Sequence, residues 1–483
     1  MVTIITTVAQ YISIILLAIY GWLAFSVYLT TENRQKQTKL TIQIVLVFVI
    51  HFMWYLILFL KSGSKKVLLL YGAEILIACI YMALYHKYYP HSSRAITNNM
   101  CFLMLLGYTI LTRININYAI RQFVISTVTL LVVSFIPLIM LKYRNLRSFY
   151  LAYGIMGIVA LLTVFIPSSV PFIHGLAKYG SRNWLEFGYG DYTFSLQPSE
   201  FVKILFVFFI ASILAKSTEL RQVIITTCFV IAHIGVLVLE KDLGGALIFF
   251  VVYITMLYVA TRRPFYLFAS IGSVIIMGSL AFLIFKDRLF SHVIVRINNW
   301  LNPWKDIDNT GYQIAQSLFA IGSGGWFGSG LDNGMPELIP VRESDFIFSV
   351  IAEELGMIVA MIVILICFSV FIGFIDVAMK CKHSFYKNMA LGFAICYIFQ
   401  ILLNIGGVTK FIPSTGVTLP LVSYGLSSVT STLIVFQIIQ GIHIISTREA
   451  EIIEREKEKI IYAAESAGVP YEGKAPQRKK QNS

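Results

Sequence analysis

Long apolar stretches of about twenty residues recur along almost the whole chain, and they constrain its fold more than any other feature. A helix of that length spans the hydrocarbon of a bilayer. Inside hydrocarbon only helices and closed barrels satisfy every backbone polar group, and a barrel would show alternating apolar and polar residues. The sequence therefore predicts an all-α polytopic integral membrane protein. About thirteen spans are expected, near 9–29, 41–60, 67–86, 99–113, 119–141, 149–170, 200–215, 222–239, 243–260, 265–285, 350–377, 388–408 and 426–446.

Composition excludes other classes. With 57% hydrophobic and 13% charged residues, the chain has too much apolar surface for a soluble core. The net charge of +13 comes from Lys and Arg spread over short loops and the tail, so it predicts membrane orientation and no nucleic acid partner. The six cysteines have no paired spacing and indicate neither a disulfide framework nor a zinc site. Residues 1–10 lack the basic stretch of a signal peptide, so the first apolar run is expected to remain as a helix.

Basic loops set the predicted orientation, because cytoplasmic loops carry an excess of Lys and Arg. One side collects Arg34, Lys36, Lys39, Lys142, Arg144, Arg147, Arg262, Arg263, Lys380, Lys382 and Lys387. The N-terminus is then outside and the C-terminus cytoplasmic, and one short loop with Lys61, Lys65 and Lys66 argues against this. Residues 171–199, 286–349 and 409–425 face outward. The tail 449–483 alternates Glu with Lys or Arg, as a solvated helix does, and its end from Lys474 is expected to be disordered.

Charged residues at the edges of spans are the candidates for chemistry. Glu200 and Lys203 are three residues apart, so they share one helix face at the membrane edge. Such groups mark a functional site or an interfacial ion pair. Asp242 follows an apolar run in a tight turn, where it either serves a site or caps the next helix. Asp345 stands at the threshold of another span, with the same two readings: a general base for a sugar hydroxyl or a helix cap.

The outer loop 286–349 also contains a glycine-rich stretch, 321–330. Glycine lets the backbone approach a ligand, and exposed amides can hold phosphate oxygens. Such a stretch is more often a turn-rich connector. Glu353 and Glu354 follow about two turns inside the next span.

Five motifs, in order, resemble the SEDS family (shape, elongation, division and sporulation), the FtsW/RodA/SpoVE group of peptidoglycan glycosyltransferases. They are Gly180-x-x-x-Trp184, Gln197-Pro-Ser-Glu-x-x-Lys203, Asp242-Leu-Gly, the loop from Tyr312-Gln to Asp345-Phe-Ile-Phe and Glu353-Glu-Leu-Gly, and Thr415-Gly-Val-Thr-Leu-Pro-Leu-Val-Ser-Tyr-Gly425. The resemblance covers roughly 99–448. It implies a SEDS-type helical core of about ten spans, a catalytic core over 99–448, and an N-terminal extension, 1–98, of about three further spans.

The resemblance also implies a reaction. The family polymerises lipid II: the 4-hydroxyl of the acceptor sugar attacks the anomeric carbon of the donor, and undecaprenyl pyrophosphate leaves. Asp345 matches the essential carboxylate, and the substrate-binding positions are Glu200, Lys203, Asp242, Arg182 and Trp184. A divalent cation, Mg²⁺ or Mn²⁺, is a possible cofactor, and no nucleotide or organic cofactor is expected. Family members act with a class B penicillin-binding transpeptidase.

Three departures from the family pattern are Glu343-Ser344 before Asp345, Asn183 before Trp184, and Leu426 after Gly425. A second carboxylate beside Asp345 is expected to raise the pKa of Asp345 and to change any cation requirement. Two alternatives remain open at this stage. A flippase of lipid-linked precursors would need a polar path across the membrane, whereas a polymerase concentrates polar residues at one face. A non-catalytic scaffold of a division or sporulation complex is the other.

Overall fold

The structure, a computed structural model, describes residues 1–143, 145–178, 180–189, 192–285 and 291–466. Arg144 and the end of the tail, both included in the sequence predictions, lie outside these residues. Twelve helices in the described part are long and apolar enough to cross a membrane, and Pro264–Leu280 forms a shorter apolar helix. The all-α membrane fold is therefore confirmed.

The helices before the first outward loop are α1 (Val2–Leu29), α2 (Asn33–Ser62), α3 (Lys65–Tyr88), α4 (Arg94–Ile114), α5 (Ile116–Val133), α6 (Ile136–Lys142) and α7 (Tyr150–Leu162). Those after it are α8 (Pro198–Lys216), α9 (Leu220–Leu239), α10 (Leu243–Thr261), α11 (Pro264–Phe285), α12 (Ser291–Leu301), α13 (Tyr312–Gly324), α14 (Ile347–Leu355), α15 (Met357–Lys380), α16 (Ser384–Val408) and α17 (Leu426–Ser466). The helix α17 crosses the bundle and continues into the charged tail, as its sequence predicts.

Two predicted spans are interrupted. The span expected at 119–141 divides between α5 and α6, around Ser134. The span expected at 350–377 divides at Gly356, which has φ +92° and separates α14 from α15. A Cβ on Gly356 would collide with the backbone of Gly328, so glycine permits close packing of the outer loop at this break.

The loop 171–199 forms a small antiparallel sheet that the sequence did not reveal. Its strands are β1 (Phe172–Lys178), β2 (Ser181–Tyr189) and β3 (Tyr192–Leu196), in the order β1-β2-β3. The sheet packs against the end of α7, where the Gly175 amide donates to the Ile166 carbonyl over 2.9 Å. A Cβ at Gly175 would collide with the Val164 carbonyl, so this contact requires glycine. The sheet thereby holds β2 at the same end of the bundle as residues 341–345 of the long loop.

The N-terminal helices pack on the rest of the bundle, with α1 against α15 and α2 against α4. Buried polar groups join α2 to α3: His51 Nε2 lies 3.1 Å from Glu74 Oε2, and the Tyr55 hydroxyl donates to Glu74 Oε1 over 2.9 Å. Hydrogen bonds of this kind hold membrane helices together. Because α4 begins at Arg94, a boundary at residue 98 falls inside that helix.

The N-terminus and the long outer loop lie at the same end of the bundle. Gln10 Nε2 donates to the Phe327 carbonyl over 2.8 Å, and Lys61 Nζ donates to the Leu331 carbonyl over 2.6 Å. Lys61, which argued against the predicted orientation, is thus bound by the loop 286–349 and lies at the same end of the bundle as that loop.

Candidate active site

A cavity of about 360 Å³ opens at the end of the bundle that carries the sheet and the outer loop. Its walls come from β2, the turn before α10, the helix α12, the segment 341–345 and the segment 415–428. The lining includes Asn183, Trp184, Asp242, Arg296, Glu343, Asp345, Gly416, Tyr424, Leu426 and Ser427. All five sequence motifs, far apart along the chain, therefore contribute residues to one cavity.

Asp345 is half-buried in the wall of this cavity. Its Oδ1 accepts a hydrogen bond of 3.1 Å from the Ser344 hydroxyl. The helix α14 begins two residues later with Phe346 at its N-cap and no side-chain cap. The structure therefore gives no support to the reading of Asp345 as a helix cap.

Burial raises the pKa of Asp345 from 3.8 to about 6, against the Ser344 hydrogen bond and the Arg296 charge, which lower it. Glu343 contributes to the increase, as its position in the sequence predicts, but less than burial does. A carboxyl with this pKa is mostly ionised at neutral pH and has a raised proton affinity, the combination that a general base needs.

The backbone around Asp345 is fixed by the segment 415–428. Asn404 Nδ2 donates to the Asp345 carbonyl over 2.9 Å and also to the Val417 carbonyl over 2.7 Å. The Tyr424 amide donates to the Glu343 carbonyl over 2.7 Å. The segments 341–345 and 415–428 are thus joined by the Asn404 side chain and by one backbone hydrogen bond, and these contacts hold the carboxylate in the cavity wall.

Asp242 caps α10, which confirms the structural alternative for this residue. Its Oδ1 accepts from the Gly245 amide over 2.8 Å, and its Oδ2 accepts from Asn183 and from Ser199, each over 3.3 Å. Asp242 also lines the cavity, so its negative charge is present there even though both oxygens have partners. Asn183, one of the departures from the family pattern, donates one of these hydrogen bonds and so helps to position Asp242.

Glu200 and Lys203 lie beneath the cavity and face the helix core. Lys203 Nζ is 2.9 Å from Glu200 Oε2 and donates to Gln400 Oε1 over 2.8 Å, and the Ser431 hydroxyl donates to Glu200 over 2.9 Å. Both side chains are buried and line only spaces of about 20 and 30 Å³. This geometry favours the alternative in which Glu200 and Lys203 form an ion pair, because the Lys203 ammonium already binds Glu200 and Gln400.

Arg182 and Trp184, from the same strand, have different surroundings. The Arg182 guanidinium donates to the carbonyls of Val164 over 3.1 Å and Ile166 over 3.3 Å, and it lies outside the cavity wall. The geometry therefore assigns Arg182 to the junction between the sheet and α7, against the predicted contact with substrate. Trp184 does line the cavity.

Arg296, which lines the cavity together with Lys241, is a cation that the sequence motifs did not predict for the site. It projects from α12 into the cavity, where it faces the charges of Asp345 and Asp242. A Cβ on Gly416 would lie 3.6 Å from Asp345 Oδ2 and 3.8 Å from Arg296 Nη2, so the two side chains converge on this glycine. The signal in the sequence was a single arginine in a short amphipathic helix of the outer loop.

The glycine-rich stretch 321–330 does not reach the cavity. The amides of Ser329 and Gly330 donate to the carbonyls of Glu353 and Glu354 over 2.9 and 3.0 Å. Arg113 Nε is 2.8 Å from Glu354 Oε1. Because these amides are bonded within the protein and the stretch lies outside the cavity, the structure favours the connector interpretation over a phosphate-binding loop.

The chain is similar to known proteins over most of its length. The sequence profile FTSW_RODA_SPOVE, described as cell cycle protein, matches residues 91–448. "Peptidoglycan glycosyltransferase RodA" of Mycobacterium tuberculosis is 32% identical over 328 residues, which cover 65% of this chain and 66% of that protein. "Probable peptidoglycan glycosyltransferase FtsW" of Geobacter metallireducens is 35% identical, with 61% and 76% covered. "Stage V sporulation protein E" of Bacillus subtilis is 31% identical, with 65% and 84% covered.

Two solved structures share the fold. One, described as "Structural coordination of polymerization and crosslinking by a peptidoglycan synthase complex", has a TM-score of 0.61 at 22% identity and covers 74% of this chain and 98% of that chain. The crystal structure of the rod shape determining protein RodA of Thermus thermophilus has a TM-score of 0.53 at 23% identity, with 73% and 96% covered.

Proposed function

This chain belongs to the FtsW/RodA/SpoVE family of cell cycle proteins, and from that premise we propose that it is a peptidoglycan glycosyltransferase that polymerises lipid II. Relatives at 31–35% identity carry that enzyme name or the name of a sporulation protein. The observation that carries the proposal is the Asp345 carboxylate in a cavity at one end of the bundle, with Arg296 on the facing wall.

Asp345 is the proposed general base. The 4-hydroxyl oxygen of the acceptor sugar forms a bond to the anomeric carbon of the donor, and the proton of that hydroxyl passes to Asp345. The bond from that carbon to the pyrophosphate oxygen breaks, and undecaprenyl pyrophosphate leaves with the electron pair. General base catalysis of this kind typically contributes about a hundredfold to ten-thousandfold in rate.

Arg296 is the proposed partner of the leaving group. A guanidinium stays charged at any physiological pH and binds phosphate oxygens in a planar, bidentate manner. Its position in the cavity fits the charge that develops on the pyrophosphate as the glycosidic bond forms. Lys203 and Arg182, whose donors are engaged within the protein, are less suited to that task.

A divalent cation remains part of the proposal. Among the described residues no three His, Cys, Asp or Glu side chains form a metal cage. Mg²⁺ needs none, since it is usually held by one or two carboxylates and substrate phosphates. Glu343 and Asp345 are the cavity carboxylates that would supply ligand oxygens. A bound cation would offset the charge of the pyrophosphate there.

The orientation is proposed as N-terminus outside, C-terminus cytoplasmic, and cavity at the outer face, on the basic-loop asymmetry. A class B penicillin-binding transpeptidase is the proposed partner, since one structure with this fold comes from a complex that couples polymerization with crosslinking. The family includes elongation, division and sporulation proteins, so identifying the partner transpeptidase would also identify the cellular process.

The flippase alternative has less support. The charged groups of the cavity lie near one end of the helices. Further along the same helices, toward the other end, fully buried aromatic side chains follow: Phe206 in α8, Phe393 in α16 and Phe436 in α17. A polar path across the membrane would have to pass such groups.

The test is to incubate the purified protein with labelled lipid II, with and without a candidate transpeptidase, and to separate the products by gel electrophoresis. Glycan polymer is expected. Transfer of lipid II between leaflets of proteoliposomes, without polymer, would favour the flippase. Neither activity, combined with tight binding of the transpeptidase, would favour the scaffold.

A further inference from the structure

A second and larger cavity, of about 690 Å³, lies at the opposite end of the bundle. It is enclosed by the ends of α6 and α8, the turn that contains Arg147, the start of α16, and α17 where that helix leaves the bundle. Its lining shares no residue with the proposed active site. The alternation of the helices puts it at the end with the basic loops.

Three cations from three separate segments line this cavity: Arg147, Lys382 and Arg448. All three are exposed, and within the described part of the chain their side chains make no hydrogen bond or ion pair. The carboxylate in the lining, Glu449, is 3.0 Å from His383 Nε2 and is thus shared with a neighbour. The cavity therefore has positive charge that the protein itself does not neutralise.

The start of α16 adds to the positive potential. Ser384 and Phe385, its first two residues, line the cavity, and His383 at the N-cap supplies no side-chain cap. The first amides of a helix have no partner within it, and the helix dipole places partial positive charge there. Phosphate groups suit such a site when cations surround it.

Apolar side chains also line the wall, from Met140, Leu141, Phe385, Ile445 and Ile452. Charged groups at the rim with apolar side chains beside them match an amphiphile better than a free anion. The cavity also lies at the ends of the spans, the level at which lipid headgroups meet the protein.

We propose that this cavity binds the phosphate headgroup of an anionic phospholipid from the adjacent leaflet, with Arg147, Lys382 and Arg448 as its ligands. Basic residues at this end of a membrane protein commonly serve only to set orientation. The arrangement here differs, since three of them converge on one cavity with a helix N-terminus. The proposal does not depend on the polymerase activity, because its measurement needs no substrate turnover.

The test is a titration of the full-length protein in neutral detergent with dioleoyl phosphatidylglycerol, followed by native mass spectrometry. The variant Arg147→Gln/Lys382→Gln/Arg448→Gln is expected to bind the lipid on the order of a hundredfold more weakly, at about fivefold per cation. The matched control, Arg34→Gln/Lys87→Gln/Arg263→Gln, removes the same charges from exposed positions at the same end and is expected to bind like the parent.

An equal loss in the variant and the control would overturn the proposal in favour of diffuse surface charge. Inorganic phosphate that displaces the lipid at equal concentration would indicate a free-anion site, and displacement by a poly-glutamate peptide would indicate a protein partner. Either result rejects the lipid. Thermal unfolding checks that each variant is folded, and if the triple variant is unstable, the three single variants are each expected to lose about fivefold.

Discussion

Replacing Asp345 with asparagine separates a catalytic carboxylate from a structural one. Asparagine has nearly the same size and can still accept the hydrogen bond from Ser344. It cannot take a proton from a sugar hydroxyl. The rate of glycan polymerisation is therefore expected to fall by about a hundredfold to ten-thousandfold, the usual contribution of a general base.

The effect on stability is expected to have the opposite sign. Burial raises the pKa of Asp345 from 3.8 to about 6, so the ionised form is disfavoured in the folded protein. At about 1.36 kcal/mol per pKa unit, keeping the charge costs at most about 3 kcal/mol above pH 6, and nothing below pH 4, where the carboxyl is protonated in both states. Asp345→Asn should leave the unfolding free energy at neutral pH unchanged or raise it by up to that amount.

The assay pairs polymerisation of labelled lipid II with thermal unfolding of the same preparation. Polymerisation by the parent should decline as the pH falls below about 6, because the base becomes protonated. A variant that polymerises at close to the parental rate would remove Asp345 from the mechanism. A variant that is inactive because it unfolds would refute the argument that the carboxylate is dispensable for folding.

Four further outcomes are expected. Arg296→Gln should lower the rate of polymerisation by about a hundredfold to a thousandfold, because a donor to the charge of the transition state is lost. Arg296→Lys should have an intermediate rate. Equal rates for the parent and both variants would exclude a role for this cation. Glu343→Gln should lower the pKa of Asp345, so the acid limb of the rate profile should move to lower pH; an unmoved limb would contradict the coupling. Lys203→Ala should leave the buried Glu200 carboxylate without its ion-pair partner and lower the free energy of unfolding by about 3–5 kcal/mol. Lys87→Ala, at an exposed position, should leave it unchanged. A stable but inactive Lys203 variant would return that residue to the substrate site. A cysteine at Asn309 should react with an impermeant reagent in intact cells and one at Lys457 should not, and the reverse pattern would invert the orientation.

Part of the site was predictable. Asp345 and Asp242 were identified because carboxylates at the edge of apolar spans are costly and so indicate a site or a cap. The structure shows both lining one cavity, with Asp242 also serving as the cap of α10. Asn183, noted only as a departure, acquires its role from a hydrogen bond to Asp242.

The cations were harder to assign, because a long basic side chain can reach in several directions and its target depends on the surrounding backbone. Arg182 stands in a family motif, yet its guanidinium binds carbonyls at the end of α7 because the sheet folds back onto that helix. Arg296 stands in no motif that the sequence analysis used, yet α12 points it at Asp345. Lys203 satisfies Glu200 and Gln400 because three helices meet at that depth.

The sequence by itself determined the class of fold and the approximate positions of the spans, about thirteen expected against twelve found among the described residues. Backbone polar groups have no partner in hydrocarbon, so each apolar run of sufficient length had to become a helix, whatever its neighbours were. Only the tertiary structure decided which polar groups meet, since contacts between residues as distant as Asp242, Arg296 and Gly416 depend on how the helices pack. It also decided where a predicted span breaks, because the interruption at Gly356 is made by the backbone of Gly328 packing against it.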